Sequence, residues 1–392
     1  MARPTTILRE RGRHEARVTN EELFFDLIYA FAVTQLSHRL LDELSLTNAA
    51  QTLVLWFGVW LGWQYTCWVT NWFNPEARSM RYMLFVVMAL GLLVAAAIPQ
   101  AFADRGLVFA AGYASIQVGR SVFVLLHLGR RHPLAANFTR ILGWLCISAI
   151  LWISGGVADE KLRLLFWIGA VLCEYSAPMT GFWLPGLGRS QTSDWTVDGG
   201  HIAERCQLFV MMALGESVLV SGASVSHAGS WDLPTILALA VTLIVNISIW
   251  WMYFNTKSKL GREVITGSSD PGRLAAYFHY VHVTLIGGII VVAVANELLI
   301  AEPHARIEGP EAAVLVGGPM LLLLGNALYR KIIIGNIGRA YPVGLLVLAL
   351  LVPLALHTDR LLYGALLALV LAVLAAREEV DTDRQAGPAE PT

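Results

Sequence analysis

Twelve long apolar runs, separated by short polar connections, constrain this chain more than any other feature. A bilayer span needs about 20 mostly apolar residues. Runs of that kind lie at roughly 22–42, 50–72, 82–103, 107–128, 138–157, 162–183, 201–223, 233–255, 275–300, 311–330, 341–357 and 361–377 of the 392 residues. Charged residues make up 15% of the chain, against about 25% in ordinary water-soluble domains. The pattern predicts an all-α polytopic membrane protein.

The connections carry a charge asymmetry. Numbering the spans 1–12, 20 of the 28 Lys and Arg residues fall on the side of the N-terminus and 6 on the other. The remaining two, Arg120 and Arg205, lie inside spans. By the positive-inside rule both termini are expected in the cytoplasm. The expected layout is a basic N-terminal segment 1–21, six spans over 22–184, a Gly/Pro/Ser-rich linker 185–200, six more spans over 201–377, and a disordered tail 378–392. The net charge of −1 says nothing about nucleic acid, but the Arg and Lys residues lie between apolar runs and no basic-aromatic module is present, so no nucleic-acid partner is expected. Four scattered cysteines show neither metal-ligand spacing nor a disulfide framework.

The two halves resemble each other. Glu22 opens span 1 as Glu204 opens span 7, and Thr34 then aligns with Glu216. TCWVTN (66–71) matches WWMYFN (250–255), and Gly112 and Gly119 match Gly318 and Gly325. Six spans is an even number, so the repeats would be parallel, related by an axis along the membrane normal. Pro99 and the Gly317–Gly318–Pro319 run are expected to interrupt spans 3 and 10.

Polar residues within the spans are the candidate functional groups, because a charge in a bilayer is costly and turns inward. In span 1, Glu22, Asp26, Ala30, Thr34 and His38 are four apart and share one helix face. In span 7, His201, Glu204, Arg205 and Glu216 stand out, with Arg205 able to pair with Asp26 or Glu22 at the same depth. Arg120 in span 4 shares a face with Tyr113 and Gln117, and its depth suits Asp26 or Glu204 as partner. Span 9 carries His279 and His282 near one mouth and Glu297 near the other. Two His residues three apart are also a metal-ligand or pH-gate pattern, so metal occupancy stays open.

ELFFDL with AVTQLSH, HxxER with ALGES, HYVHVTLIGGI and GNALYRK resemble the bacterial low-temperature-requirement A family. The resemblance runs over residues 20–375 and implies an inner-membrane multi-span protein linked by name to growth in the cold. It attaches no established role to any residue.

Three functions remain open. The first is a secondary transporter or proton/cation-coupled carrier for a small ion or hydrophobic solute, with the carboxylates of spans 1 and 7 in a central cavity. The second is an intramembrane enzyme or metal-binding protein acting on a lipid-like substrate. The third is a non-catalytic stress or assembly factor whose polar faces are interhelical glue. No soluble-enzyme or nucleotide-binding signature is present. The sequence leans toward the first reading and names no cofactor.

Overall fold

The computed structural model describes residues 7–9, 17–129, 131–192, 195, 197–227, 231–255, 261, 264, 265 and 267–386. Arg130, Lys257, Lys259 and Arg262 of the connections, and the tail beyond 386, lie outside them.

Among the described residues there are twelve long α-helices and no named strand. They are α1 (Asn20–Asp42), α2 (Leu46–Trp72), α3 (Arg78–Ala97), α4 (Gly106–Leu128), α5 (Pro133–Val157), α6 (Glu160–Met179), α7 (Gly199–His227), α8 (Leu233–Trp250), α9 (Pro271–Ala301), α10 (Gly309–Ile334), α11 (Ala340–Ala355) and α12 (Arg360–Ala386). Each answers to one of the twelve apolar runs. Nine are, by length and composition, long and apolar enough to cross a membrane. α11 has only 16 residues. α1 and α2 are long enough, but their buried faces are rich in polar residues.

Helix punctuation follows local chemistry. Thr19 and Glu22 form a capping box on α1, and Asp159 and Asp232 cap α6 and α8. Pro99 ends α3 in a 3-10 turn, Ile98–Gln100. Pro319 behaves differently from expectation. α10 runs continuously through it, because a single missing N–H costs one ladder bond and neighbouring helices hold both halves. The C-terminal helix also outruns its apolar stretch, reaching Ala386 rather than ending near 377. Glu378 anchors that extension, 3.8 Å from Arg330 and buried with it.

The chain forms two compact units. The first comprises Met1–Arg205 with Thr266–Ala275, the second Cys206–Ile265 with Ala276–Thr392. The division falls inside α7, so His201, Glu204 and Arg205 belong to the first unit. The 266–275 piece joins that unit partly through Asp270, which accepts the Thr192 hydroxyl at 2.8 Å.

The core of the first unit is aromatic. Trp60, Trp63, Trp152, Trp167, Phe109 and Tyr113 are at most 2% exposed and lie ring against ring. In the second unit α9 and α10 approach at backbone distance. A Cβ on Gly288 would lie 2.9 Å from the Leu322 nitrogen, and one on Gly318 2.9 Å from the Val292 nitrogen. The loops are tied as well. Asp359 caps the Leu362 N–H and pairs with His304, both at 2.8 Å. Desolvation pushes the Asp359 carboxyl up, but those two hydrogen bonds outweigh it and hold the group below the ordinary carboxylate range.

Candidate functional site

Four segments of the first unit converge on Glu22 and Asp26. A short N-terminal strap pairs with the chain after α2: Arg9 N–H donates to the Trp72 carbonyl at 3.0 Å, and Asn74 N–H to the Ile7 carbonyl at 2.9 Å. That pairing delivers the Arg9 guanidinium to Glu22 Oε2 at 2.8 Å. The same oxygen receives the Thr19 backbone N–H at 2.9 Å. Glu22 Oε1 accepts from His201 Nε2 at 2.7 Å and from Arg205 Nη1 at 3.0 Å. One turn further along α1, Asp26 takes Arg205 bidentately: Nε donates to Oδ2 at 3.0 Å and Nη2 to Oδ1. Trp63 Nε1 completes the Asp26 shell at 2.7 Å. Glu22, Asp26, His201 and Arg205 are all fully buried.

Second contacts fix the protonation pattern. Asp198, which caps α7, exchanges two hydrogen bonds with the Asn71 side chain: its N–H donates to Oδ1 at 3.0 Å, and its carbonyl accepts from Nδ2 at 2.9 Å. The Asn71 amide can therefore point only one way, and its NH2 faces His201 Nδ1 at 3.1 Å. Nδ1 is thus an acceptor, and His201 is neutral with its proton on Nε2, donated to Glu22. The cluster then holds two carboxylates and two guanidiniums and is neutral overall. A buried charge set is tolerable on those terms.

A second buried cluster lies deeper in the same unit, around Glu174 of α6. Its Oε2 accepts from the Tyr113 hydroxyl at 2.6 Å and from Gln117 Nε2 at 3.2 Å. Its Oε1 accepts from Trp152 Nε1 at 2.9 Å and from the Ser148 hydroxyl. Arg120 does not meet Asp26 or Glu204, as depth alone suggested. It donates to the Thr66 hydroxyl at 2.8 Å, the Gly62 carbonyl at 3.3 Å and Gln117 Oε1. Its partners Gly62 and Thr66 lie on α2, the neighbour of α4 that this face meets. Arg120 Nε is buried without a hydrogen-bond partner among the described residues. Tyr29, one turn beyond Asp26, is in electrostatic reach of both Asp26 and Arg120. Sequence inspection singled out Tyr113, Gln117 and Arg120 but passed over Glu174, although a lone carboxylate in an apolar span was the available signal.

The second unit holds a His–Tyr cluster. α8 ends in a five-residue π-helix, Trp251–Asn255, a local widening that often accompanies function. It places the Tyr253 hydroxyl 2.7 Å from His282 Nε2. His282 Nδ1 lies 2.6 Å from the Phe278 carbonyl and must donate to it, so in the neutral ring Nε2 accepts from Tyr253. Tyr329 stacks on Tyr253 with centroids 5.6 Å apart. Tyr253→Phe should leave Nε2 without its donor and cost about 1–3 kcal/mol, read as a lower melting temperature in detergent.

Thr34 is buried but returns its hydroxyl to the Ala30 carbonyl at 3.3 Å. The polar face of α1 is buried from Glu22 through Thr34, while His38 is half-buried. Glu204, Glu216 and Glu297 are half-buried, and His279 is fully buried. Glu216 makes no hydrogen bond or ion pair with any described residue. Among the described residues, no three His, Cys, Asp or Glu side chains gather as metal ligands. At Glu22 and Asp26 the oxygens face Arg205, Arg9 and His201 instead.

The model of the family described as bacterial low temperature requirement A protein matches residues 17–376. The chain belongs to this family. It is also 34% identical over 376 residues to an uncharacterized protein of Rhizobium meliloti (strain 1021), covering 95% of this chain and 91% of that one. No solved structure matches it. The motifs that carry the family resemblance are those that meet in space. ELFFDL supplies Glu22 and Asp26, and HxxER supplies His201 and Arg205. In the second unit HYVHV supplies His282 and GNALYRK supplies Tyr329, with ring centroids 5.4 Å apart.

Proposed function

We propose that this multi-pass membrane protein is a proton- or cation-coupled secondary carrier of the bacterial inner membrane. In this reading both termini are cytoplasmic, the helices form two parallel six-helix repeats, and activity supports growth in the cold. The observation that carries it is the placing of Glu22, Asp26, Arg120, Glu174 and Arg205 inside one apolar helical unit. Stability alone gives little reason for such groups, since buried ion pairs are often no better than apolar packing.

Asp26 is the coupling group in this mechanism. Ionised, it holds Arg205 and so ties α1 to α7. Protonated, it loses the ionic part of that pair and frees the helices to shift, with Tyr29 next toward the bilayer interior. Glu216, unengaged by described residues, is the corresponding acid of the second unit. His38, His282 and Glu297 serve the mouths.

Purified protein in vesicles containing a pH-sensitive dye tests this. A carried solute added outside should change the luminal pH saturably, and Glu216→Gln should reduce the effect at least tenfold. No saturable proton movement with any ion, carboxylate or amine would remove the carrier reading.

One observation favours a second reading. The Glu22–Asp26–Arg9–Arg205 group is neutral and densely hydrogen-bonded, as interhelical glue would be. Under that reading substitutions there lower stability and change no flux.

A further inference from the structure

We propose that Arg120 and Glu174 form a binding site for a small carboxylate anion, and that its occupancy is coupled to a proton on Glu174. The proposal deepens the carrier reading by naming a cargo class, and rests on it only for the step from binding to transport.

The geometry is that of an ion pair held apart by an amide. Arg120 is 2% exposed and among the described residues donates only to neutral acceptors: Thr66, the Gly62 carbonyl and Gln117. Glu174 is also 2% exposed and among the described residues accepts only from neutral donors: Tyr113, Gln117, Ser148 and Trp152. Gln117 stands between them. Its orientation is dictated at both ends, because a guanidinium can only donate and an ionised carboxylate can only accept. Two opposite charges that could have paired directly are instead each left one step from a partner.

Charge counting supplies the coupling. With Glu174 ionised the cluster is neutral, and an arriving anion would make it negative inside an apolar bundle. A proton on Glu174 leaves Arg120 uncompensated, and an anion then restores neutrality. Each ligand favours the other, as linkage requires.

Arg120 has the group to receive a carboxylate. Its Nε–H has no hydrogen-bond partner among the described residues, and the neighbouring Nη2 is held only by the Gln117 amide oxygen. A carboxylate matches that planar edge with two parallel hydrogen bonds. Displaced from Arg120, the Gln117 oxygen becomes an acceptor for the new O–H of Glu174. Gln117 is thus a positioning residue that changes partner as proton and anion arrive together.

The other titratable and charged groups near the pair are few. Tyr113 lies beside both on α4, Tyr29 reaches Arg120 and Tyr113 from α1, Tyr65 of α2 lies with its ring under Arg120, and Cys173 adjoins Glu174 on α6. α5 contributes only the neutral Ser148 and Trp152. None of these is a second cation, so the count above holds.

The test is equilibrium binding of acetate to the detergent-solubilised full chain, by calorimetry between pH 6 and 8.5. The wild type should bind acetate more tightly as pH falls, by up to about tenfold per pH unit. Glu174→Gln, fixed in a neutral form, should bind acetate at pH 8.5 with no pH dependence. Arg120→Lys keeps the charge but loses the planar edge, and should weaken binding about tenfold or more while keeping the pH dependence. Wild-type affinity that is equal at pH 6 and 8.5 overturns the proposal. So does saturable binding unaffected by Arg120→Lys, or no saturable acetate binding at pH 6. Vesicle flux enters none of these results, so a failed transport assay leaves the site standing, and a failed binding assay leaves a cation carrier standing.

Discussion

Arg205→Gln should destabilise the detergent-solubilised protein by about 3–5 kcal/mol, the cost of removing one partner from a buried ion-pair set. Among the described residues Arg205 is the only cation on Asp26, and it shares Glu22 with Arg9. Its Nε, Nη1 and Nη2 all donate, to Asp26, Glu22 and Thr70. Its guanidinium also lies over the Phe25 and Trp63 rings, 5.8 Å from each centroid. Glutamine reaches neither carboxylate with a charge, so Asp26 would remain buried and negative. Asp26→Asn in the same chain should recover most of the loss, because it removes the orphaned charge while keeping an acceptor for Trp63. Thermal unfolding of the two single variants and the double variant gives the coupling directly. Additive losses would mean that the pair is not energetically linked.

Gly318→Leu should cost about 3 kcal/mol through overpacking. The close approach of α9 and α10 leaves no room at this position. Even a bare Cβ on Gly318 would lie 2.9 Å from the Val292 nitrogen and 2.9 Å from its Cγ2, and backbone cannot step aside as a side-chain tip can. Gly325 faces Leu285 in the same way, with 3.0 Å to its nitrogen. Small residues at such a seam let helix backbones meet, which is how helices associate where lipid is as apolar as leucine. Gly317, with open space around its Cβ position, is the control: Gly317→Ala should leave the melting temperature within about 1 °C of wild type, as expected for substitutions away from packing contacts. Unchanged unfolding of Gly318→Leu would refute the seam.

Much of this architecture was legible in the sequence, and the reasons differ by residue. The twelve helices follow from apolar length, which a bilayer reads almost directly. The Arg205–Asp26 pairing was legible because both residues sit near the start of their helices, where equal depth and opposite charge leave few alternatives. Depth was not enough for Arg120. Its partners depend on which helix lies beside α4, and periodicity carries no lateral information. Glu174 was missed although the rule that exposed Asp26 applies to it equally, because the polar residue that shares its buried face, Arg163, lies about three turns away near the helix start and reads as a charge of the connection. Tyr253 was hidden for another reason. Its direction depends on a π-helical turn, and one extra residue per turn leaves no mark on a hydropathy pattern. Pro319 shows the opposite error, a breaker that breaks nothing because the surrounding helices restrain it.

The central claim is that the Asp26–Arg205 pair is a proton-operated tie and not only glue. Solute-driven proton movement in vesicles carrying Asp26→Asn, set beside the unfolding temperature of the same variant, tests it most directly. Asp26→Asn keeps the Trp63 hydrogen bond and leaves Arg205 its bond to Glu22, so the protein should fold and insert. The account predicts a folded protein with proton movement reduced to the level of empty vesicles. Proton movement equal to wild type, in a variant that is merely less stable, would contradict it.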